Sequence, residues 1–290
     1  MSTAPLVSVI VPAHDEEFGL RHTLESLLAD AAPDEIDVVV VPNACTDRTA
    51  AIARSFPQVR VVETYVAGKV HAIGLGYDLC RTFPRLVLDA DVRLSTHSVR
   101  SMAARLDVGD GVLAVAPRIE WDYSACGPLA TRAHRAHDAL MADRRVLSGV
   151  GAYLLGEQAC LRVFPLPDVV ADDEYVHRSF APYERRTVPE AVSTTRPAPT
   201  FASLVRRRAR ARFGNRQLGP RTGSGPTAPV PPLSAADLVR GVRTCRIRPL
   251  DGAAFLAAVT AERILARYWQ ARGGASWSSD RAAHRTEEHV

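Results

Sequence analysis

Short β-branched runs alternate with stretches of helical spacing through the first ~120 residues, and that rhythm leaves few folds open. Val7-Ser8-Val9-Ile10-Val11-Pro12 reads as a buried strand closed by a proline. Leu20, Leu24, Leu27, Leu28 and Ala31 then fall on one helical face. A second apolar run spans 36–41 and a short third 59–62. Val70, Ile73, Tyr77 and Cys80 mark another helix, and the run 85–88 ends in Asp89. Val99, Met102, Ala103 and Leu106 predict one more helix, and 112–116 one more strand. Strands separated by helices of this length need right-handed crossovers, so the chain is an α/β protein. Its sheet is expected to be mostly parallel and Rossmann-like, flanked by helices on both faces. Asp15 is the expected N-cap of the first helix, with Glu16 and Glu17 in its first turn, and Thr46 or Asp47 the cap of the second.

From Trp121 the rhythm changes. Leu129, Ala133, Ala136 and Leu140 predict a helix, Ser148-Gly149-Val150-Gly151 a flexible loop, and 152–155 a strand. Residues 219–232, rich in Gly and Pro, have no apolar period and read as a linker or lid. Residues 253–268 are helical in pattern, and the tail after Gly273 is expected to be disordered. The expected division is 1–118 for one binding part, 119–216 for a second part of the same domain, 217–233 for the linker, 234–272 for a helical extension and 273–290 for the tail. No apolar run approaches the roughly 18 residues of a spanning helix, and no signal peptide is read at the start. Cys45, Cys80, Cys126, Cys160 and Cys245 form no CxxC pair, which fits reduced thiols in the cytoplasm rather than disulfides or zinc.

Chemistry concentrates at Leu88-Asp89-Ala90-Asp91-Val92. A strand ending in two carboxylates one residue apart places hard oxygen ligands at the sheet edge where open α/β folds bind ligands. Such a pair suits a divalent cation that keeps waters and takes phosphates as further ligands. Lys69, the chain's single lysine, follows Gly68 at a predicted helix start, where dipole and free amides favour phosphate. Asp172, Asp173 and Glu174 form a second acidic cluster; adjacent acids raise one another's pKa, which suits a base working near neutrality.

Residues 7–17, Asn-Ala-Cys-Thr-Asp-Arg-Thr at 43–49, Gly68-Lys69 followed by Ala72 and Gly76, and Leu-Asp-Ala-Asp-Val at 88–92 together resemble the family-2 glycosyltransferases of the GT-A fold. The motifs occur in the family's order, and the likeness runs through about the first 215 residues. It implies a nucleotide-sugar donor, UDP-sugar favoured, and an acceptor hydroxyl on a saccharide, small molecule or lipid. It also implies Mn2+ or Mg2+ as cofactor, with Asp91 as metal ligand and Asp89 nearer the ribose and sugar. Pro12 and Ala13, through backbone groups, and Glu16 would hold the nucleoside. Asn43 stands where the family usually has an aspartate that bonds the base, which leaves the base open. Asp173 matches the general base, so that a single displacement inverts the anomeric centre. Arg212 keeps the arginine of the family's Gln-x-x-Arg-Trp stretch as a clamp on the diphosphate, with Ala209 and Phe213 replacing the Gln and Trp. Those two changes argue against a processive synthase. No third protein ligand is assigned; His177 is a candidate on residue type alone.

A nucleotidyltransferase would carry a Gly-rich, arginine-bearing loop after the first strand and a dehydrogenase a GxGxxG; Pro-Ala-His-Asp-Glu-Glu is neither. The arginine run 206–212 lacks interleaved aromatics, so nucleic acid is not the expected partner. Trp121, Asp122 and Tyr123 could stack on a sugar or close a core edge. Two alternatives stay open. One is a polyprenyl-phosphate or lipid acceptor, with the basic segments 240–248 and 262–272 in peripheral contact with a membrane. The other is a non-catalytic nucleotide-sugar-binding protein.

Overall fold

The computed structural model describes residues 4–142, 144–169, 171–217 and 233–271. The linker expected at 217–233 and the tail expected after 273 lie almost wholly outside them. The elements, in order, are β1 (Val7–Ala13), α1 (Leu20–Leu28), β2 (Ile36–Pro42), α2 (Thr49–Arg54), β3 (Val59–Val61), α3 (Lys69–Leu79), β4 (Arg85–Leu88), β5 (Val92–Leu94), α4 (Thr96–Leu106) and β6 (Ala114–Trp121). Then follow α5 (Pro128–Met141), β7 (Ala152–Leu155), α6 (Glu157–Val163), α7 (Asp172–Arg178), β8 (Arg185–Thr195), α8 (Phe201–Gln217), α9 (Ala235–Arg243) and α10 (Pro249–Ala271).

The chain groups into two compact units that interleave along the sequence. The first holds residues up to Glu120 and Val146–Thr195; the second holds Trp121–Arg145, the segment after Arg196 and the C-terminal helices. In the first unit one sheet of eight strands runs in the order β3-β2-β1-β4-β7-β6-β8-β5. The strands β3, β2, β1 and β4 are parallel, as the alternation of runs and helices requires. β7 pairs antiparallel with β4 and β6, and β5 antiparallel with β8. The sequence beyond Asp89 did not announce these antiparallel pairings, because composition marks a run as a strand without fixing its direction or its neighbour.

Alternation along β1 builds both faces of the core. Val7, Val9 and Val11 pack under Leu20, Leu24 and Leu27 of α1, with Val99 and Met102 of α4 in the same cluster. Ile10 points the other way, into a cluster with Ile73 of α3, Val87, Tyr153, Val176 and Phe180. α3 lies close on that second face. A Cβ at Gly76 would come within 2.5 Å of Ile10 Cγ2 and 3.3 Å of Val41 Cγ2. Only glycine lets the helix approach so far, and that approach carries Lys69, at its first turn, to the carboxyl end of β4.

The register of β4 against β7 sets the site. Arg85 faces Leu155 and Leu88 faces Ala152, so the end of β4 meets the start of β7. Residues 148–151 are thereby delivered beside Asp89, whose N–H donates to Gly151 O at 2.8 Å. Gly151 has φ +69°, and a Cβ there would fall 2.4 Å from Val92 Cγ2.

Gly76→Ala should therefore destabilise the fold. Overpacking costs about 1–3 kcal/mol, of which alanine's helix propensity returns about 1. A urea titration should show a lower midpoint with an unchanged slope; an unchanged or raised midpoint would mean that α3 tolerates the displacement.

Candidate active site

Lys69, the only lysine in the sequence, gathers the site. Its Nζ lies 2.8 Å from Asp89 Oδ1 and 3.0 Å from Asp172 Oδ1. One ammonium thus joins the carboxylate at the end of β4 to the first residue of α7, 83 positions further along the chain. Asp172 is 2% exposed, and its Oδ2 accepts from Tyr153 Oη at 3.2 Å. Burial opposes the charge on Lys69, but Asp172, Asp89 and Asp173 outweigh it and hold the ammonium well above the ordinary lysine range.

The acids of α7 do not act as one cluster. Asp172 faces Lys69, Glu174 pairs with Arg178 one turn on at 2.7 Å, and Asp173 turns to the 148–151 loop. Asp173 Oδ2 accepts from Gly149 N–H at 2.6 Å and from Ser148 Oγ at 3.5 Å, and Oδ1 from Glu174 N–H at 2.8 Å. Burial raises the pKa of Asp173 above the usual aspartate range, and Lys69 and the Gly149 amide pull against it. Burial also raises Asp172. Desolvation, rather than the mutual repulsion expected from three adjacent acids, is the leading cause. Asp172 is fully enclosed, whereas Asp173 keeps partial access to solvent.

The loops after β1 and β2 are sewn together by the residues of their own motifs. Helix α1 starts at Leu20, so Asp15 is not its cap. Asp15 instead takes a left-handed conformation (φ 53°) and its Oδ1 accepts from Thr46 N–H at 2.7 Å. Glu16 N–H donates to Thr49 Oγ1 at 2.8 Å and Glu17 N–H to Asp47 Oδ2 at 3.0 Å. Asp47 Oδ1 accepts from Thr49 N–H at 2.9 Å, although α2 begins with no side-chain cap on Arg48. Asn43, 2% exposed, is the hub of this region. Its Nδ2 donates to Ala13 O at 2.8 Å, its N–H donates to the same oxygen at 2.8 Å, and its Oδ1 accepts from Gly68 N–H at 3.2 Å. An aspartate could not make the first of these bonds in its ionised form. The amide therefore fastens β1, β2 and the start of α3 together, and the Ala13 carbonyl is taken up inside the protein. Pro12, beside Ala13 at the end of β1, has no N–H to offer.

Asp91 sits half-buried two residues beyond Asp89, the residue paired with Lys69, and Asp89 keeps its second oxygen within 3.6 Å of where a Gly151 side chain would begin. The donor set at this strand end is carboxylate oxygen alone, without thiol or imidazole, which fits a hard divalent cation. His177 lies buried on α7, its Nδ1 accepting from Leu147 N–H at 3.4 Å, and burial pushes its pKa down to about 4. Among the described residues another group of possible ligands is Asp15, Cys45 and Asp47, whose carboxylates already accept the loop bonds described above.

Arg212 belongs to the second unit. On α8 it pairs with Glu262 of α10 at 2.7 Å, and Arg208 pairs with the same buried carboxylate. Trp121, Asp122 and Tyr123 are also tied within that unit. Trp121 Nε1 donates to Asp138 at 2.9 Å, Asp122 pairs with Arg196 at 3.1 Å, and burial pushes Tyr123 up to about 12. The residue that sequence reasoning missed is Tyr153. A tyrosine inside Ala152–Leu155, otherwise aliphatic, has a hydroxyl to satisfy, and its partner is the buried Asp172.

Lys69→Met strands Asp172 and should cost about 2–3 kcal/mol, below the full figure for a deeply buried pair because the ammonium is partly exposed. Lys69→Met combined with Asp172→Asn should regain most of that loss in denaturant titrations. A double variant as unstable as the sum of both singles would show that the two residues do not couple.

Comparison with known proteins follows the same strands and loops. The model of glycosyl transferase family 2 matches residues 8–153, half of the 290 residues. A probable glycosyltransferase of Bacillus subtilis, YdaM, is 37% identical over 59 residues, 20% of this chain and 14% of that protein. The 4,4'-diaponeurosporenoate glycosyltransferase of Staphylococcus aureus is 35% identical over 91 residues, 30% of this chain and 24% of that protein. The matched stretches thus span a quarter or less of these relatives. Among solved structures, the mannosyltransferase PcManGT from Pyrobaculum calidifontis, in complex with GDP-Man and Mn2+, superposes with a TM-score of 0.62 at 19% identity, covering 92% of this chain and 88% of that one. Glucosyl-3-phosphoglycerate synthase from Mycobacterium tuberculosis, in complex with Mn2+, UDP and phosphoglyceric acid, gives 0.55 at 17% identity over 77% and 80%. At these identities the structures speak for the fold alone. The family match runs from β1 through the Asp89–Asp91 turn to Tyr153, the stretch that supplies Lys69 and both carboxylates, and the chain belongs to glycosyl transferase family 2, in its GT-A fold.

Proposed function

We propose that the protein transfers a sugar from a nucleoside diphosphate sugar to an acceptor hydroxyl with inversion, Asp173 acting as general base. The observation that carries this reading is the Lys69 ammonium held between Asp89 and Asp172, which joins the phosphate-side motif to the second acidic motif. In this reading the acceptor oxygen attacks the anomeric carbon as Asp173 takes its proton, and the bond from that carbon to the diphosphate oxygen breaks. The leaving group gathers negative charge while the sugar passes through an oxocarbenium-like state. Lys69 is suited to meet that charge, since its neighbours keep it protonated across the working range. Asp91 and the second oxygen of Asp89 would hold a cation, Mn2+ or Mg2+, which when bound offsets charge on the departing diphosphate. That the two solved relatives carry Mn2+ with GDP-Man and with UDP supports the cation and leaves both bases in play.

The Asn43 amide is engaged within the protein on both sides, so it does not read the base as an exposed aspartate would. A uridine donor remains the first to test. Thermal-shift measurements with UDP and GDP, each with and without Mn2+, should give the largest rise with UDP plus Mn2+. A rise with GDP alone overturns the uridine assignment, and no rise with either overturns the donor class.

Asp173→Asn should leave the donor-dependent thermal shift intact and lower turnover by a factor of at least about 10². Asp91→Ala should abolish the Mn2+-dependent part of that shift. Turnover of the unmodified enzyme should fall as pH drops through the pKa of Asp173, because the base works ionised and burial raises that pKa. The acid limb should therefore lie above the ordinary aspartate value. Normal turnover by Asp173→Asn would remove that residue from the role of base.

A further inference from the structure

The second unit carries a surface that the reaction proposed above does not call on. Helix α10 buries Ala254, Phe255 and Ala258 in the clusters it shares with α5, α8 and α9. Its opposite face holds Leu250, Leu256 and Ile264, which are 65%, 51% and 64% exposed. At about 100° per residue the three spread over about a third of the helix circumference, the outward arc, along roughly 20 Å of its length. Single exposed aliphatics are ordinary, but a row of large ones along one helix marks a surface that is covered in use.

The charges beside this row are of one sign. Arg240 and Arg243 on α9, Arg246 and Arg248 ahead of α10, and Arg263 and Arg267 on it are all exposed. The acids in 233–271 are Asp237, Asp251 and Glu262, and each is already matched. Asp237 closes the capping box of α9 and pairs with Arg144, Asp251 is buried against Arg132, and Glu262 is buried between Arg208 and Arg212. Ahead of α10 a cavity of about 410 Å³ is lined by Arg135, Arg246 and Arg248 together with Ile247 and Asp251, the carboxylate of Asp251 being paired with Arg132. Arg246 is fixed at its rim by a bond to Ala139 O at 3.1 Å. Guanidinium groups around such a space match a phosphate.

We propose that the α9–α10 face docks peripherally on an anionic lipid bilayer. Leu250, Leu256 and Ile264 enter the acyl boundary, and a lipid phosphate occupies the cavity of Arg135, Arg246 and Arg248. Aliphatic side chains flanked by arginine are what an interfacial helix presents. A single-stranded nucleic-acid surface would offer several stacking aromatics, whereas this helix adds Tyr268, 48% exposed, to its aliphatic side chains, an amphipathic ring that also suits a membrane interface. A second copy of this face would bring arginine onto arginine across a two-fold axis, and the acids among the described residues 233–271 are already paired. Among the described residues no helix is long and apolar enough to cross a membrane, so the contact is with its surface.

The test is co-sedimentation of the full chain with vesicles of phosphatidylcholine alone and of phosphatidylcholine mixed with phosphatidylglycerol, at low and high salt. Binding is expected on the mixed vesicles, weakened about ten-fold by salt as screening shortens the reach of the arginines. The pair Leu250→Glu and Ile264→Glu should reduce binding about ten-fold even at low salt. The pair Arg246→Gln and Arg248→Gln should erase the preference for phosphatidylglycerol. Both variants should keep the circular dichroism, melting temperature and nucleotide thermal shift of the parent, so this result stands apart from the donor reading. No sedimentation with anionic vesicles at low salt would overturn the proposal, as would binding indifferent to both variants. A dimer in light scattering that Leu250→Glu and Ile264→Glu dissolves would also overturn it.

Discussion

A buried carboxylate is tolerable only when something opposite in charge stands beside it, and Asp172 meets that condition through Lys69. The same ammonium is shared with Asp89, so the first unit is held at its functional edge by one cation between two acids. Several features of the fold exist to make this approach geometrically available. Gly76 lets α3 sink onto Ile10, Gly151 lets the turn before β7 pass against Val92, and the antiparallel register of β7 on β4 brings that turn to Asp89. The pairing is an electrostatic compromise as well as a contact. Burial pushes the ammonium toward neutrality and the carboxylates toward protonation, and their attraction opposes both tendencies. A site of this kind is charged and desolvated before any ligand arrives, which is the condition under which a diphosphate gains most from a fixed cation.

Much of the first unit was legible because its signals are local. The β-branched runs at 7–12, 36–41 and 85–88 have the composition of strands buried on both faces, and the helices between them have one apolar side. The parallel order follows from that alternation. What stayed hidden depends on partners distant in sequence. Asp15, Glu16 and Glu17 read as the charged start of a helix, because acids are favoured there whatever else they do. Their actual bonds cross to Thr46, Asp47 and Thr49 on another loop, and no spacing rule encodes that. In the same way 172–174 read as one patch of negative charge. A helix turns each successive side chain by about 100°, and the three acids acquire three different partners.

Asn43 shows how a departure from a family pattern acquires a physical meaning. Read in the sequence, the exchange of an acid for an amide at the end of β2 weakened a contact to the nucleobase. In the fold the amide is turned inward, giving a proton to Ala13 O and accepting one from Gly68 N–H. It uses both polarities of its side chain, which only an amide offers at neutral pH. Ala13 closes β1 and Gly68 precedes Lys69, so the residue that seemed to concern donor choice also governs where the ammonium stands.

The arginines of α8 extend the argument to the second unit. Arg208 and Arg212 resemble a catalytic arginine stretch in sequence, yet Glu262, buried on α10, takes both. A lone buried glutamate would be costly, and two guanidinium groups make its position on the inner face of α10 sustainable. With Glu262 and Asp251 both neutralised from within, the helix has no acid left for its outer side. Internal pairing of acids with α5 and α8 thus leaves α10 with arginine and no acid on its outward side, and the basic character of that surface follows from how the core of the second unit satisfies its charges.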